Sequence, residues 1–506
     1  MKRAAYHNLG CKVNSYELDV MKELLEKKGY ETVPFDREAD IYVINTCTVT
    51  NIADRKSRQM LHRAKKRSPG AVVIAVGCYV ETDRDRVRTD PAIDLAIGNN
   101  RKGQIAELLE DFLRTREQGS AGPDGKAETD ALFETDAEAE VSDSVLDSVL
   151  DSVLDSGFDT VPDKTLGGRT MADLAERPEY EDMQLTAPGH TRAYIKIQDG
   201  CNQFCTYCII PFARGRIRSR RPEEICREIR ALAAGGIREV VLTGIHISSY
   251  GLEWGVQGPV RFDPVRAGTH LLDLIRKISA IPGIERIRLG SLEPRIMTED
   301  FVRGIAAVPG LCPHFHLSLQ SGCDAVLKRM NRHYTAAEFL GYMERLRRHI
   351  DRPALTTDVI VGFPGESEEE FEQTRAFLEQ ADFYEIHVFK YSVRKGTIAA
   401  RMKGQLTDAV KSARSDVLLE MTERQARAYR DGFTGCREEL LLEEPVTIGG
   451  QTWFTGHTAR YVRGAVLCDG RPGIQSGALV RGRFTGQRLE GDLRVLEMED
   501  GLSKAK

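Results

Sequence analysis

Short apolar runs alternate with amphipathic helical stretches along most of this chain, and that alternation fixes its fold class. RAAYHNLG, DIYVINT and AVVIAVG read as strands, with NSYELDVMKELLEKKG and ADRKSRQMLHRAKKR as helices between them. Strands joined through helical crossovers pair in parallel, so residues 1–115 are expected to form a small parallel α/β domain. Six further strands follow within 187–433: AYIKIQDG (193–200), EVVLTGIHI (239–247), RIRLGSLE (286–293), FHLSLQSG (315–322), LTTDVIVGF (355–363) and EIHVFKYS (385–392). Helical stretches such as PEEICREIRALAAGG separate them. Six β/α units predict an open, partial (β/α)6 barrel, short of the eight of a closed one. From Thr434 to 499 the pattern becomes short strands broken by glycine, which predicts a small all-β barrel.

Between the two α/β blocks the composition changes. Residues 116–186 hold 19 Asp/Glu against 5 Lys/Arg, a net of −14 within a chain whose total is −5. This segment includes DSVLDSVLDSVLDS (Asp143 to Ser156) and is flanked by Gly, Ser, Pro and Asp. It reads as an acidic, low-complexity insert or linker. The rest of the chain is modestly basic, which favours a polyanionic partner. No apolar run is long enough to span a membrane, and MKRAAYHNLG lacks the apolar core of a signal peptide, so a cytoplasmic protein is expected. Eleven cysteines in such a chain point to metal ligands, redox groups or core fillers rather than to a disulfide framework.

Three of them, Cys201, Cys205 and Cys208, follow the first barrel strand in CNQFCTYC. A structural zinc site uses four closed ligands, usually from two CxxC-type pairs, and no second pair exists. Three thiolates suit an iron–sulfur cluster with one open iron. CxxxCxxC after the first strand of a partial barrel resembles the radical S-adenosylmethionine superfamily. The resemblance implies a 4Fe–4S cluster on Cys201, Cys205 and Cys208, its fourth iron held by S-adenosylmethionine. Cleavage of that cosubstrate would yield methionine and a 5′-deoxyadenosyl radical. Thr243 and Gly244 after the second strand, and Ser291 and Glu293 after the third, are then candidate cosubstrate contacts. As bare sequence they are equally loop and capping residues.

Cys11 (NLGCKVN), Cys47 (INTCTVT) and Cys78 (AVGCYVE) each stand directly after a predicted parallel strand. Their spacing matches no compact metal motif, and singly each reads as a core cysteine. Parallel strand ends share one edge, however, so the three thiols are expected to converge there. A domain with LGCxxN, NTCxVT and GC ahead of CxxxCxxC resembles the methylthiotransferase family. That resemblance implies a second 4Fe–4S cluster on Cys11, Cys47 and Cys78, whose open iron holds the sulfur to be transferred. The other five cysteines read as structural.

The family's substrates are an adenosine beside the anticodon of tRNA or an aspartate of a ribosomal protein. The flanks LGCKVNSYE and NTCTVT resemble the branch that acts on N6-threonylcarbamoyladenosine, with the isopentenyladenosine and ribosomal-protein branches as alternatives. Basic stretches Arg55 to Arg67 and RGRIRSRR (Arg214, Arg216, Arg218, Arg220) are expected to meet phosphates of the anticodon stem-loop. The C-terminal segment resembles the TRAM module, an RNA-binding barrel. Its Trp453, Arg460 and Arg463 are candidate RNA contacts, while a barrel-core role for Trp453 and Tyr461 is the plainer reading. An electron donor and a sulfur donor are required and not identified. A rival of another class is a non-catalytic RNA-binding metalloprotein.

Overall fold

The structure, a computed structural model, describes residues 2–118, 179–187, 189–470 and 473–499. Most of the acidic insert, including the DSVL repeat, lies outside the described residues. No described helix is long and apolar enough to cross a membrane.

The N-terminal domain is a five-stranded parallel sheet of β1 (Arg3–Asn8), β2 (Glu31–Val33), β3 (Ile41–Thr46), β4 (Val72–Gly77) and β5 (Leu95–Ile97), ordered β2-β1-β3-β4-β5. Strands β3 and β4 are buried at every residue, because helices cover both faces. On one face α1 (Lys12–Lys27) and helix Ile105–Glu117 pack Tyr16, Val20, Met21 and Leu109 on Ile41, Val43 and Ile74. On the other, α2 (Asn51–Arg67) packs Leu61 and Ala64 on Tyr42, Ile44 and Val73. Asn8 pairs with Asn45, and Thr46 with Gly77. The loops after β1, β3 and β4 therefore leave at one edge. In this strand order the crevice between β1 and β3 is the topological switch point, where open α/β sheets bind ligands.

The central domain strings six parallel strands in chain order. β6 (Ala193–Asp199), β8 (Glu239–Gly244) and β9 (Arg286–Leu289) form one run. β10 (His314–His316), β11 (Ala354–Val361) and β12 (Glu385–Lys390) form the other. Bridges Ile287–Leu311 and Leu292–Leu317 join the two runs. The short β7 (Arg218–Ser219) adds antiparallel to β6. This is the expected partial barrel. Ile195, Ile197, Val240, Leu242, Phe315, Leu317, Leu355 and Val359 pack outward into a single core with the surrounding helices. Strand alternation then turns Lys196, Gln198, Glu239, Arg288, His316 and Asp358 inward, so the barrel interior is polar.

The C-terminal strands β13 (Arg437–Ile448), β14 (Gln451–His457), β15 (Arg463–Leu467), β16 (Leu479–Leu489) and β17 (Leu493–Met498) close a barrel. It docks over the N-terminal ends of the central strands. Arg286 donates to the His457 carbonyl at 3.0 Å, and Arg288 to that of Ala459 at 3.0 Å.

The N-terminal and central domains meet through a buried charge cluster. The Glu17 carboxylate takes Lys196 at 2.7 Å, Arg214 at 2.9 Å and Lys102. Asp199 takes Lys196 at 2.6 Å and Arg218 at 3.3 Å. Residues 179–186, expected to belong to the insert, instead pack into this interface. Met183 and Leu185 are buried, the Tyr180 hydroxyl donates to the Lys196 carbonyl at 2.9 Å, and the Leu185 N–H to Glu228 at 2.9 Å.

Burial alone would raise the Glu17 carboxyl, but Arg214, Lys102 and Lys196 outweigh it and hold it well below the usual carboxylate range. A depressed carboxyl contributes stability above its unfolded pKa, and that contribution is lost as pH falls toward the folded value. Glu17→Ala, which strands three cations, is expected to cost about 3–5 kcal/mol. Thermal unfolding at neutral pH should show the loss, and the gap to the parent protein should narrow as pH drops below the ordinary carboxylate range.

Candidate iron–sulfur and cosubstrate site

Gly200 ends β6 with φ +70°, and a Cβ there would sit 1.9 Å from the Arg216 carbonyl oxygen. Only glycine permits this approach, which turns the chain into the cysteine loop. The Cys201 N–H donates to the Gly215 carbonyl at 3.0 Å and the Cys208 N–H to that of Cys205 at 2.9 Å. A second segment clamps the loop from outside. Thr206 donates through its N–H to the Met330 carbonyl (3.1 Å) and through Oγ1 to that of Arg329 (2.8 Å), while Asn331 Nδ2 donates to that of Phe204 (3.2 Å). Arg332 approaches Cys205 Sγ at 3.3 Å, and the Gln203 N–H approaches Cys201 Sγ at 3.4 Å. Burial, then the neighbouring thiols, pushes the Cys201 thiol up and Cys208 to about 12. Such thiols favour a bound cation that keeps them ionised.

The candidate cosubstrate contacts lie at adjoining strand ends. Glu293 is buried and takes Arg332 at 2.7 Å and Arg295 at 2.8 Å, so its carboxylate positions the guanidinium that reaches Cys205. Thr243 is buried, Gly244 closes β8 against Gln198, and Ser291 is exposed.

In the N-terminal domain Cys11 caps α1, Cys47 follows β3 and Cys78 follows β4. Cys11 Sγ lies 3.4 Å from Asn14 Oδ1, and Asn14 Nδ2 donates to Asn45 Oδ1 at 3.2 Å and the Thr46 carbonyl at 3.0 Å. Two asparagines thus tie the Cys11 turn to the Cys47 turn. Asn99 Nδ2 approaches Cys78 Sγ at 3.7 Å and donates to the Ala213 carbonyl at 2.8 Å. Burial raises the Cys47 thiol to about 11, with Cys78 and Cys11 adding to it. Cations flank them: Arg214 reaches Asn14 at 3.1 Å and lies in the field of Cys78. All eleven cysteines are free, and the donors and charges at both triads suit an anionic thiolate cluster. Helix Ile210–Arg214, which begins two residues after Cys208, reaches the other triad's neighbours Asn99 and Asn14 through Ala213 and Arg214.

The expected RNA contacts fare differently. Arg214, Arg218 and Arg220 are buried, a correction to the reading of RGRIRSRR as a cationic surface. Arg220 pairs with Glu228, and the other two belong to the interdomain cluster. Burying a guanidinium requires a carboxylate partner, and Glu17, Asp199 and Glu228 supply it from other elements of the fold. Arg216 is half-buried over the Phe204 ring at 4.7 Å. Trp453 is buried with Ala465 and Val495 in the β barrel, the plainer of its two readings. Arg460 is half-buried; it pairs with Glu438 of its own barrel and ties the barrel to Asp351 of the central domain. Arg463 is exposed on β15. Sequence reasoning missed Asn14, Glu17, Asn99 and Arg332. None carries a motif of its own, although Asn14 is the final residue of LGCxxN.

A partial β/α barrel with a strand-end CxxxCxxC loop, joined to a parallel domain with three strand-end thiols, defines a radical S-adenosylmethionine enzyme with a second cysteine site. The Radical SAM superfamily matches residues 195–378, and Uncharacterized protein family UPF0004 matches residues 3–98. Threonylcarbamoyladenosine tRNA methylthiotransferase MtaB of Bacillus subtilis is 33% identical, over 92% of this chain and 90% of its own length. Its Aquifex aeolicus counterpart is 34% identical, over 87% and 93%. The tRNA-2-methylthio-N(6)-dimethylallyladenosine synthase of Opitutus terrae is 33% identical, over 92% of each chain. The chain belongs to the radical S-adenosylmethionine tRNA methylthiotransferase family, a membership that implies S-adenosylmethionine and a 4Fe–4S cluster.

Gly200→Ala is expected to abolish iron retention at Cys201, Cys205 and Cys208. Gly236 also has a positive φ, +96°, but opens onto free space, so Gly236→Ala carries the backbone cost without the clash. Iron content after anaerobic reconstitution should fall for the first variant and hold for the second.

Proposed function

We propose that this chain adds a methylthio group to C2 of N6-threonylcarbamoyladenosine in tRNA, next to the anticodon, using 4Fe–4S clusters at both triads. The observation that carries the two-site reading is the second triad. Cys11, Cys47 and Cys78 occupy the switch-point edge and back, through Asn99 and Arg214, onto the helix that follows Cys208. The substrate reading is supported by relatives at 33% and 34% identity named for threonylcarbamoyladenosine. A second reading, the dimethylallyl-substituted adenosine, is favoured by a relative at 33% named for it.

The C2–H bond is too inert for acid–base chemistry, so a radical must remove the hydrogen. Cys201, Cys205 and Cys208 would hold a 4Fe–4S cluster, which would supply one electron to bound S-adenosylmethionine. The protein's own residues do the rest. Cys201, Cys205 and Cys208 hold the first cluster, Arg332 and Glu293 fix the loop around Cys205, and Thr243, Gly244 and Ser291 line the cosubstrate side. Cys11, Cys47 and Cys78 hold the cluster that carries the sulfur. Electrons and replacement sulfur come from donors outside the chain, and a cytoplasmic location fits a tRNA substrate. With Arg214, Arg218 and Arg220 buried, phosphate contacts fall to exposed Arg55, Lys56, Arg63 and Lys66 on α2, which starts four residues after Cys47, and to Arg463.

Mass spectrometry of nucleosides from total tRNA, with and without the intact gene, tests the substrate. The methylthiolated threonylcarbamoyladenosine should vanish with the gene and its parent rise; loss of the dimethylallyl analogue instead would establish the second reading. Reconstituted protein should hold about eight irons, two clusters of four. Replacing Cys11, Cys47 and Cys78 together by Ala should halve that number, and an unchanged count near four in both proteins would remove the second cluster.

A further inference from the structure

Threonylcarbamoyl and dimethylallyl substituents differ in charge. The first carries a free carboxylate, a hydroxyl and N–H donors, whereas the second is hydrocarbon. An enzyme that selects the first needs fixed cations at the substrate, since a buried anion without a partner is rejected strongly.

The inner face of the last three barrel strands carries such a group. His316 on β10 lies 3.1 Å through Nε2 from Asp358 Oδ2 on β11. His387 on β12 lies 3.2 Å through Nδ1 from Asp358 Oδ1. The two imidazoles stack with centroids 5.4 Å apart, and His316 Nδ1 meets Thr356 Oγ1 at 3.0 Å. One carboxylate thus hydrogen-bonds the His387 ring and lies within ion-pair range of His316. His316 is buried, while the His387 side chain is 52% exposed on the last strand of the open barrel. The hydrogen bond to Asp358 raises the His387 pKa from its ordinary value. Lys12, exposed and next to Cys11, lies within the field of Asp358, as His387 lies within that of Lys12. Phe389, two residues beyond His387 on the same face, is 46% exposed and offers a ring beside them.

We propose that Lys12 and His387, with Asp358 and His316 fixing the His387 ring, form the subsite that takes the carboxylate of the threonylcarbamoyl group. The ligand atoms of His316, Asp358 and His387 lie within 4.8 Å of one another, compact enough for a divalent metal. Arg192 and Arg288 are spent on Glu239 and Glu443, so the exposed Lys12 ammonium is the cation that opposes a further cation there and favours an anion. The place suits the substrate: Lys12 adjoins a ligand of the sulfur-carrying site, and His387 stands at the barrel's open edge.

This inference rests on the threonylcarbamoyladenosine reading. The test uses the full reconstituted chain and anticodon stem-loops bearing N6-threonylcarbamoyladenosine as the free acid, as its methyl ester, or dimethylallyladenosine. Rates are normalised to iron content. The ester keeps the shape and removes the charge. The parent enzyme should lose about tenfold or more in kcat/KM on the ester, mainly in KM. His387→Leu and Lys12→Gln should lose a comparable factor on the acid alone, bringing the acid-to-ester ratio near one. Asp358→Asn should act in the same direction through the His387 ring. Equal use of acid and ester by the parent, or a parental ratio in both variants, would overturn the subsite. Stoichiometric zinc bound by the parent and lost in His387→Leu would overturn it in favour of a metal site. Turnover of only the dimethylallyl stem-loop would remove the substrate reading and the subsite with it.

Discussion

Glu17 faces Lys102, Lys196 and Arg214 fully buried, and the relative placement of the two cysteine sites depends on that contact. Each cysteine triad is positioned within its own domain by strand ends, so neither domain needs the other to form its loop. What must be fixed is how one edge faces the other. A hydrophobic interface would permit sliding. Buried charges forbid it, because any shift leaves a cation or a carboxylate unpaired at a cost of several kcal/mol. Arg214 carries the constraint furthest. It is the last residue of the helix after Cys208, bonds Glu17 and Asp199, and reaches Asn14 beside Cys11. The residues that set domain orientation are thus chain neighbours of the candidate ligands on both sides.

This explains which parts were legible in sequence. Parallel strands announce themselves as apolar runs because they are buried on both faces, and β3 and β4 are so throughout. Glycine before a cysteine, as in DGC at 199–201, marks a turn after a strand, and the chemistry of the triads follows from the residue type and the strand end alone. The arginines of RGRIRSRR were not legible in the same way. Local sequence shows a dense run of charge, and the common fate of such a run is solvent. Its partner carboxylates sit on α1, on β6 and on helix Pro222–Ala234, and only the assembled tertiary structure reveals them. The trio of His316, Asp358 and His387 was hidden for a related reason: three strands each contribute one residue at alternating positions, and no spacing along the chain records that they meet.

The polar interior of the barrel follows from its being incomplete. A closed eight-stranded barrel fills its centre with branched apolar layers. Here six strands leave the centre too open to pack dry, so charged residues line it and other elements cover it. The β domain lays its 457–461 turn across one end, with Arg192, Arg286 and Arg288 as anchors. Helix α1 packs on β6 and β8. Beyond β12 no described strand continues the sheet, and under the proposed function that edge would admit the substrate to the strand ends.

Access by that edge ties the phosphate contacts to the same side. Under the proposed function, a base brought to the cysteine sites past β12 would carry its backbone along the nearest exposed cations. The start of α2 is joined to the end of β12, with the Asn51 side chain donating to the Val393 carbonyl at 2.8 Å and Arg394 pairing with Asp54 at 2.6 Å. The exposed cations of α2 therefore flank the opening, whereas the buried arginines that follow Cys208 lie behind it. Charge that looks alike in sequence has been divided by the fold into two uses: one set, paired and dry, fixes the domains, and the other, solvated and beside the opening, is free to meet a polyanion.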